Sequence, residues 1–488
     1  MKPKVVILLL TLMYSLMSSA KTVNPLQYGI NEAQTGEERY FTLRRCHEDA
    51  FKNGYSISYR GLARIELTIP EEASPLPLPD TTDFAGVAMV VDNQREGLAL
   101  FALTGKAEQL SVDRQSLDTG NFTHIPKLSS GVRLLYIQDE NPWINIRLGY
   151  NSTAVYKRRD VLVVKNGHAQ NSIIMPYPTE TSNPHFWYSE VSSKKKVVKN
   201  LHFVRTQTST AITRPLYIRF MYNVEVSNVS VVTPQGVIKS DDSCFIIEDC
   251  ANLTINDVTI EGTYSEERLT GYGIRLLNVY DVKFNRLKAD GKWGIFGNYN
   301  VNTVQLSDCD LNRFDVHFYG KDITSIDCRY HDLYNQFASV YGHVSFKNCE
   351  FVNQRPVLIE SSFNAYTPFE LEWKNCTFHL GGKKNFLITL LGVPEPYNDR
   401  PELMRKCLPN IKVRNCKVYL ADDLKDWYLI QTGEVKYKDS FDYISEVVVS
   451  GTKVYGNKKA AFRLSSESIR TTNRVRKRIQ ASLMDRTK

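Results

Sequence analysis

Arg313, Asp315 and His317 alternate with Phe314, Val316 and Phe318 in the run RFDVHF. In a β-strand, residues two apart share a face, so a fixed cation, a carboxylate and an imidazole would emerge together while the three apolar side chains turn inward. An imidazole accepts a proton near neutral pH, and an arginine stabilises a carboxylate as charge builds beside it. Those are the requirements for β-elimination from a uronate-containing chain, in which a base removes the proton next to the sugar carboxylate and an acid serves the leaving oxygen. His317 is the expected base, Arg313 and Arg275 the carboxylate clamp, and Tyr341 the acid. Asp315 would orient the imidazole or an arginine, or bind a cation. No cofactor is firmly implied, and calcium is the ion this chemistry admits.

Two other chemistries stay open. Hydrolysis needs a pair of carboxyl groups at a set spacing, and Asp241, Asp242, Glu248, Asp315 and Glu360 are the candidates. A non-catalytic glycan binder would instead use outward aromatic rings such as Trp293, Phe296 and Tyr341. The bland alternative for the opening run is that Arg313 and Asp315 pair across neighbouring strands and His317 is a capped residue of the scaffold.

A repeat positions these residues. Its skeleton, apolar-x-apolar-x-Asn/Asp-apolar/Cys-x-apolar, is clearest in VSFKNCEF (344–351), LEWKNCTF (371–378) and IKVRNCKV (411–418). Val229, Val258, Leu287, Cys309, Cys328, Cys349 and Cys376 mark equivalent points at intervals of 29, 29, 22, 19, 21 and 27 residues. A fixed strand motif with variable loops predicts a β-solenoid, with Asn and Asp at its corners. A second strand series runs through Cys244–Glu248, Gly273–Leu277, Trp293–Gly297, Phe314–Phe318, Gln336–Tyr341, Val357–Glu360 and Phe386–Leu391. In register, Arg275 and Trp293 would flank RFDVH on one side, with Tyr341 and Glu360 on the other. The outward set would then hold Arg275, Lys292, Arg313, His317, Tyr330, His331, Tyr341 and His343. Arg275, Lys292, Trp293 and Glu360 are the expected substrate contacts.

Upstream, Glu37–Asn53 has helical spacing closed by Asn53-Gly54, and Ile65–Pro70 alternates as a strand. Residues 1–20 read as a signal peptide with cleavage after Ala20, which predicts a secreted or periplasmic protein without a membrane span. Loss of Lys2 and Lys4 would lower the net charge from +8 to +6, a balance that favours an anionic partner. Residues 21–200 are assigned to an N-terminal cap and first coils, 201–466 to the central and C-terminal coils, and 467–488 to a basic tail. Nine cysteines, most at one place in the repeat, fit small apolar core residues better than a disulfide scaffold or a metal site. No nucleic-acid signature is present.

The repeat, the leader-like start and the helix before Ile65–Pro70 together resemble the pectate-lyase superfamily. That resemblance implies an all-β, right-handed parallel β-helix with an N-terminal capping helix. Its members are mostly polysaccharide lyases, glycoside hydrolases, epimerases and phage tailspike depolymerases. It implies an acidic polysaccharide as substrate and a monomer, or a trimer if the chain is phage-like. The Ser240-Asp241-Asp242 run is only a faint match to the Gly-Asp-Asp motif of polygalacturonases, and their Asn-Thr-Asp, Gly-His-Gly and Arg-Ile-Lys motifs are absent.

Overall fold

The computed structural model describes residues 21–93, 95, 97–112, 122–139, 157–177, 183–206, 214–234, 243–261, 272–289, 296–331, 333–352, 355–359, 369–382, 386–390, 409–432, 446–457 and 459–465. The expected leader and basic tail, and Asp241, Asp242, Lys292, Trp293 and Glu360, lie outside them.

The expected helix spans Gly36–Asn53. Thr35 caps its first turn by accepting from the Glu38 amide while the Glu38 carboxylate accepts from the Thr35 amide, and Gly54 ends it in a left-handed conformation. Tyr40, Leu43, Cys46 and Ala50 face the first coil and join the main core with Ile57, Ile65, Leu67 and Leu76.

Thirty of the described strands form one sheet, and they pair in parallel from coil to coil. The chain is a parallel β-helix, as the repeat predicts. The motif register holds: Thr259 pairs with Lys288, Lys288 with Asp310, Asp310 with Arg329, Arg329 with Glu350, and Glu350 with Thr377. The residue before each is the predicted equivalent point, so Cys309, Cys328, Cys349, Cys376 and Cys416 stack as a buried column of free thiols. Next to it Tyr330, Phe351 and Phe378 stack face to face, with ring centroids 5.4 and 5.1 Å apart. Tyr330 and Phe296, expected outside, are therefore core residues.

One element departs from the coil pattern. Five strands (Glu108–Gln109, Val132–Asp139, Arg158–Lys165, His168–Ala169 and Pro184–Glu190) form a separate antiparallel sheet inside the stretch assigned to the first coils. One of its faces packs over a small core that includes Phe122, Leu135, Ile137, Leu162 and Phe186. The other carries Leu134, Tyr136 and Val161 onto the β-helix at Ala251, Phe220 and Tyr222. Asn300 accepts from the Arg159 amide at 3.0 Å, and Asn302 donates to the Ser172 carbonyl at 2.7 Å. The sheet is thereby tied to the side of the solenoid.

On the buried face of the capping helix, His47 sits between the Pro77 carbonyl (3.0 Å) and the Tyr59 hydroxyl (2.6 Å). Burial pulls its pKa down from 6.5 to about 4, against the Pro77 bond. Between those values the unfolded chain binds a proton that the folded one does not, so stability present above pH 6.5 is lost as pH falls through the window. The loss should approach about 3 kcal/mol near pH 4. Urea midpoints of the wild type and His47→Gln, compared at pH 7 and pH 4.5, should show a shallower acid loss in the variant. Equal losses would exclude His47 as a source of the acid limb.

Candidate functional site

Arg313, Asp315 and His317 do share a face and come together, but their polar atoms turn on one another. Asp315 accepts from Arg313 Nε through one oxygen and faces His317 Nε2 at 3.2 Å through the other. Arg313 Nη2 donates to Gln336 Oε1 at 2.7 Å, and its guanidinium lies 4.4 Å over the Tyr334 ring. His317 Nε2 is also 2.9 Å from the Tyr272 hydroxyl, and its Nδ1 is 3.5 Å from that of Tyr299. The three side chains are 1%, 0% and 8% exposed, so the face they occupy is covered. Burial works against the Arg313 charge, yet Asp315, Tyr334 and Tyr272 outweigh it and push its pKa up. Both Asp315 oxygens are engaged, which leaves it poorly fitted as a ligand for calcium. Among the described residues no three His, Cys, Asp or Glu side chains converge as metal ligands.

The neighbours of this cluster differ from the expected ones. Asp315 pairs with Gln336 and Val316 with Phe337, which puts Tyr334, Gln336 and Ala338 on the next coil at this level. Tyr341 pairs instead with Lys321 and packs with Ile174, Phe318, Tyr319 and Ala338 outside the main core. Phe318 was expected inward. A register shift between Asn298 and Tyr299 sends it outward, where it stacks on Tyr299 at 5.6 Å. Arg275 is 5.9 Å over the Tyr272 ring, one residue removed from the His317 contact. Gln336, Tyr272 and Tyr299 were missed because loop lengths hid which residues share a level.

A second polar centre lies open, in a cleft of about 320 Å³ between the antiparallel sheet and the β-helix. Tyr136, Gln138, Arg159 and Trp187 line it from the sheet, and Arg219, Phe220, Asp249 and Asn278 line it from consecutive coils. Arg219 pairs with Glu248 in the ladder, and Phe220, Asp249 and Asn278 follow at one left-handed corner, with φ of 57°, 53° and 56°. Arg219 Nε lies 3.5 Å from Glu248 Oε2 and 3.3 Å from Asp249 Oδ2. Glu248 also accepts from the Tyr217 hydroxyl at 2.8 Å and from Arg159 Nη1 at 3.2 Å. Asp249 accepts from Asn278 Nδ2 at 2.9 Å. Burial raises the Asp249 pKa, with help from Glu248, against Asn278, Arg159 and Arg219. Asn278 Oδ1 is buried without a hydrogen-bond partner among the described residues. The cleft thus combines aromatic faces, two arginines and the Asp249 carboxyl, with Glu248 bound to both arginines beside it.

Glu248 was among the carboxylate candidates in the sequence, whereas Asp249, Asn278 and Trp187 were not singled out. An aspartate one residue past a rung, where Asn recurs in later coils, is the trace they left.

No model of a known protein family matches the chain, and no curated protein does. Solved structures do. The gp54 tailspike of Acinetobacter baumannii bacteriophage AP22, solved in complex with A. baumannii capsular saccharide, matches with a TM-score of 0.51 and 14% identity, over 92% of this chain and 77% of that one. The tailspike gp49 from Pseudomonas phage LKA1 matches with a TM-score of 0.50 and 14% identity, over 92% and 79%. The fold is of the pectate-lyase-like β-helix kind.

The buried cluster predicts a cost to stability when one partner goes. Asp315→Asn removes the countercharge from a fully buried guanidinium and should destabilise the fold by about 3–5 kcal/mol. Denaturant unfolding measures this directly. A loss below about 1 kcal/mol, the size of a surface pair, would mean that Asp315 does not hold Arg313 in place.

Proposed function

We propose that the protein binds and cleaves a polysaccharide lying in the cleft between the antiparallel sheet and the β-helix. The observation that carries this reading is the lining itself: Trp187, Tyr136 and Phe220 beside Arg159, Arg219 and Asp249. Sugar rings present apolar C–H faces to aromatic side chains and hydroxyls to charged and amide groups, so such a lining suits a glycan. The likeness to a tailspike solved with a capsular saccharide supports the same class of ligand. Arg159 and Arg219, 33% and 38% exposed, favour an acidic chain. The cleft is built by one chain, so a monomer suffices. Action outside the producing cell fits the leader-like start and a polymeric substrate.

Elimination is the second reading, favoured by the Asp315–His317–Tyr272 hydrogen-bond chain. In it His317 is the base, Arg313 and Arg275 clamp the sugar carboxylate, Asp315 orients the imidazole, and Tyr341 gives the proton. Arg275, Lys292, Trp293 and Glu360 hold the substrate. That reading requires the buried cluster to open.

The test uses the full chain with polygalacturonate, alginate, hyaluronan and purified bacterial capsular polysaccharides. Calorimetry reads binding, and assays for unsaturated and for reducing ends read cleavage. Binding to at least one polymer is expected, and Trp187→Ala should weaken it about fivefold, the loss of roughly 1 kcal/mol of aromatic contact. Absence of binding throughout, or unchanged affinity in Trp187→Ala, would overturn the cleft as the glycan site. His317→Ala should leave cleavage intact if the cleft acts, and should abolish it if elimination runs through the buried cluster.

A further inference from the structure

We infer that the last coils carry a second docking surface, separate from the cleft, for an acidic polysaccharide chain lying along a corner of the β-helix. The surface is a ridge of lysines that holds the polymer, and no bond is made or broken there. It does not depend on the chemistry assigned to the cleft.

Two outward rows flank the corner column at Asn348, Asn375 and Asn415. In the row before the corner, Ser307 pairs with Ile326, Ile326 with Lys347, Lys347 with Lys374, and Lys374 with Arg414. In the row after it, Asp310 pairs with Arg329, Arg329 with Glu350, Glu350 with Thr377, Thr377 with Lys417, and Lys417 with Lys453. The earlier part of the second row alternates in sign and is internally satisfied, with Arg329 3.7 Å from Asp310 and 3.4 Å from Glu350. Toward the C-terminal end both rows turn cationic.

Like charges directly opposite one another on neighbouring strands, about 4.8 Å apart, destabilise a sheet. Lys347 against Lys374, Lys374 against Arg414, and Lys417 against Lys453 are such rungs. The carboxylates on the strands that carry these rows are engaged elsewhere. Glu350 is held by Arg329 and His379, Glu370 by Lys412, and Glu372 by Arg414. Lys347, Lys374, Lys417 and Lys453 are exposed and enter no ion pair among the described residues. A polyanion laid along the rows supplies the missing countercharge.

The same surface carries aromatic groups. Two residues past Thr377, Lys417 and Lys453, and so on the same side of each strand, His379, Tyr419 and Tyr455 stack coil on coil with centroids 5.2 and 5.0 Å apart. Tyr419 is 38% exposed. A tyrosine hydroxyl both donates and accepts, so the lysines suit the carboxylates of an acidic glycan and the tyrosines its hydroxyls. Shape selects the class of polymer. The rows run along the helix axis on either side of one corner, a narrow straight ridge that suits a single extended chain. A flat bilayer or a double helix would touch it at only a few points.

The variant Lys374→Gln/Lys417→Gln/Lys453→Gln tests the ridge in the full chain, with the cleft intact and again with Trp187→Ala. Calorimetry reads binding to polygalacturonate, alginate, hyaluronan and neutral dextran at low and at high salt. Expected are more than fivefold weaker binding to the acidic polymers in both backgrounds and a flatter dependence on salt. Removing like-charge rungs should leave the thermal melt at or above that of the wild type, so lost binding is not lost folding. Lys374→Arg/Lys417→Arg/Lys453→Arg should keep wild-type affinity. A loss of less than fivefold, an equal loss on dextran, or no binding of any acidic polymer by the wild type would overturn the ridge, whereas the cleft stands or falls on Trp187→Ala alone. Tighter wild-type binding to anionic phospholipid vesicles or to duplex DNA than to every acidic polymer would overturn the glycan as its partner.

Discussion

Every coil must turn at the same places, and in this molecule the turns demand left-handed backbone. Asn200, Asn228, Asp257, Arg286, Asp308, Asp327, Asn348, Asn375 and Asn415 all have φ between 52° and 62° and stand one above another in register. The left-handed region costs most residues roughly 1–2 kcal/mol, and Asn and Asp reach it most readily after glycine. Stacking then adds something a single turn lacks: Asn228 donates to Asn200, Asn348 to Asp327, and Asn375 to Asn348, at 2.8 to 3.1 Å. The corner column fixes where each coil bends, and that in turn fixes which side chains share a level across coils.

A second column runs Phe220, Asp249, Asn278, Asn300, Tyr319, Ser339, again with φ from 52° to 57°. Here three of the six occupants, Phe220, Tyr319 and Ser339, depart from the Asn and Asp that suit the conformation. Phe220 and Tyr319 are bulky residues held at positive φ, a state that persists only where packing over-determines it. Phe220 is packed by Tyr136 at 5.2 Å and by the Arg219 guanidinium at 4.3 Å. Tyr319 is buried with Ile174 of the segment between the antiparallel strands His168–Ala169 and Pro184–Glu190. Asn300, between them, takes the amide of Arg159. The antiparallel sheet therefore docks along a turn column, and the residues that elsewhere only close a corner here form the wall of a cleft.

The β-helix and its main register were legible because a stacked motif must repeat its chemistry. The Asn-Cys step recurs whatever the loop between copies, and Cys309 to Cys416 align as counted. The capping helix was legible from Thr35, Glu38 and Gly54, whose roles are local. Levels within the second strand series were not, since they depend on loop lengths and on a register shift at Asn298–Tyr299. That shift moved Phe318 outward, and on the next coil Gln336, not Tyr341, stands beside Asp315. The antiparallel sheet escaped notice because direction of pairing leaves no mark in a single strand.

The two polar centres show why residue types alone did not decide between them. Arg313, Asp315 and His317 are the more reactive set on paper, yet burial forces each to spend its hydrogen bonds on the others, since an unpaired charge there would be far costlier than a paired one. Glu248 and Asp249 are also salt-bridged, but through Arg219 and Arg159, side chains that are a third or more exposed. Water reaches these guanidinium groups, so their contacts are more readily exchanged than those of Arg313, which is 1% exposed. Reactivity toward a polymer depends less on how strongly a group is charged than on how cheaply its partners can be exchanged, and on that measure the cleft is the more available of the two.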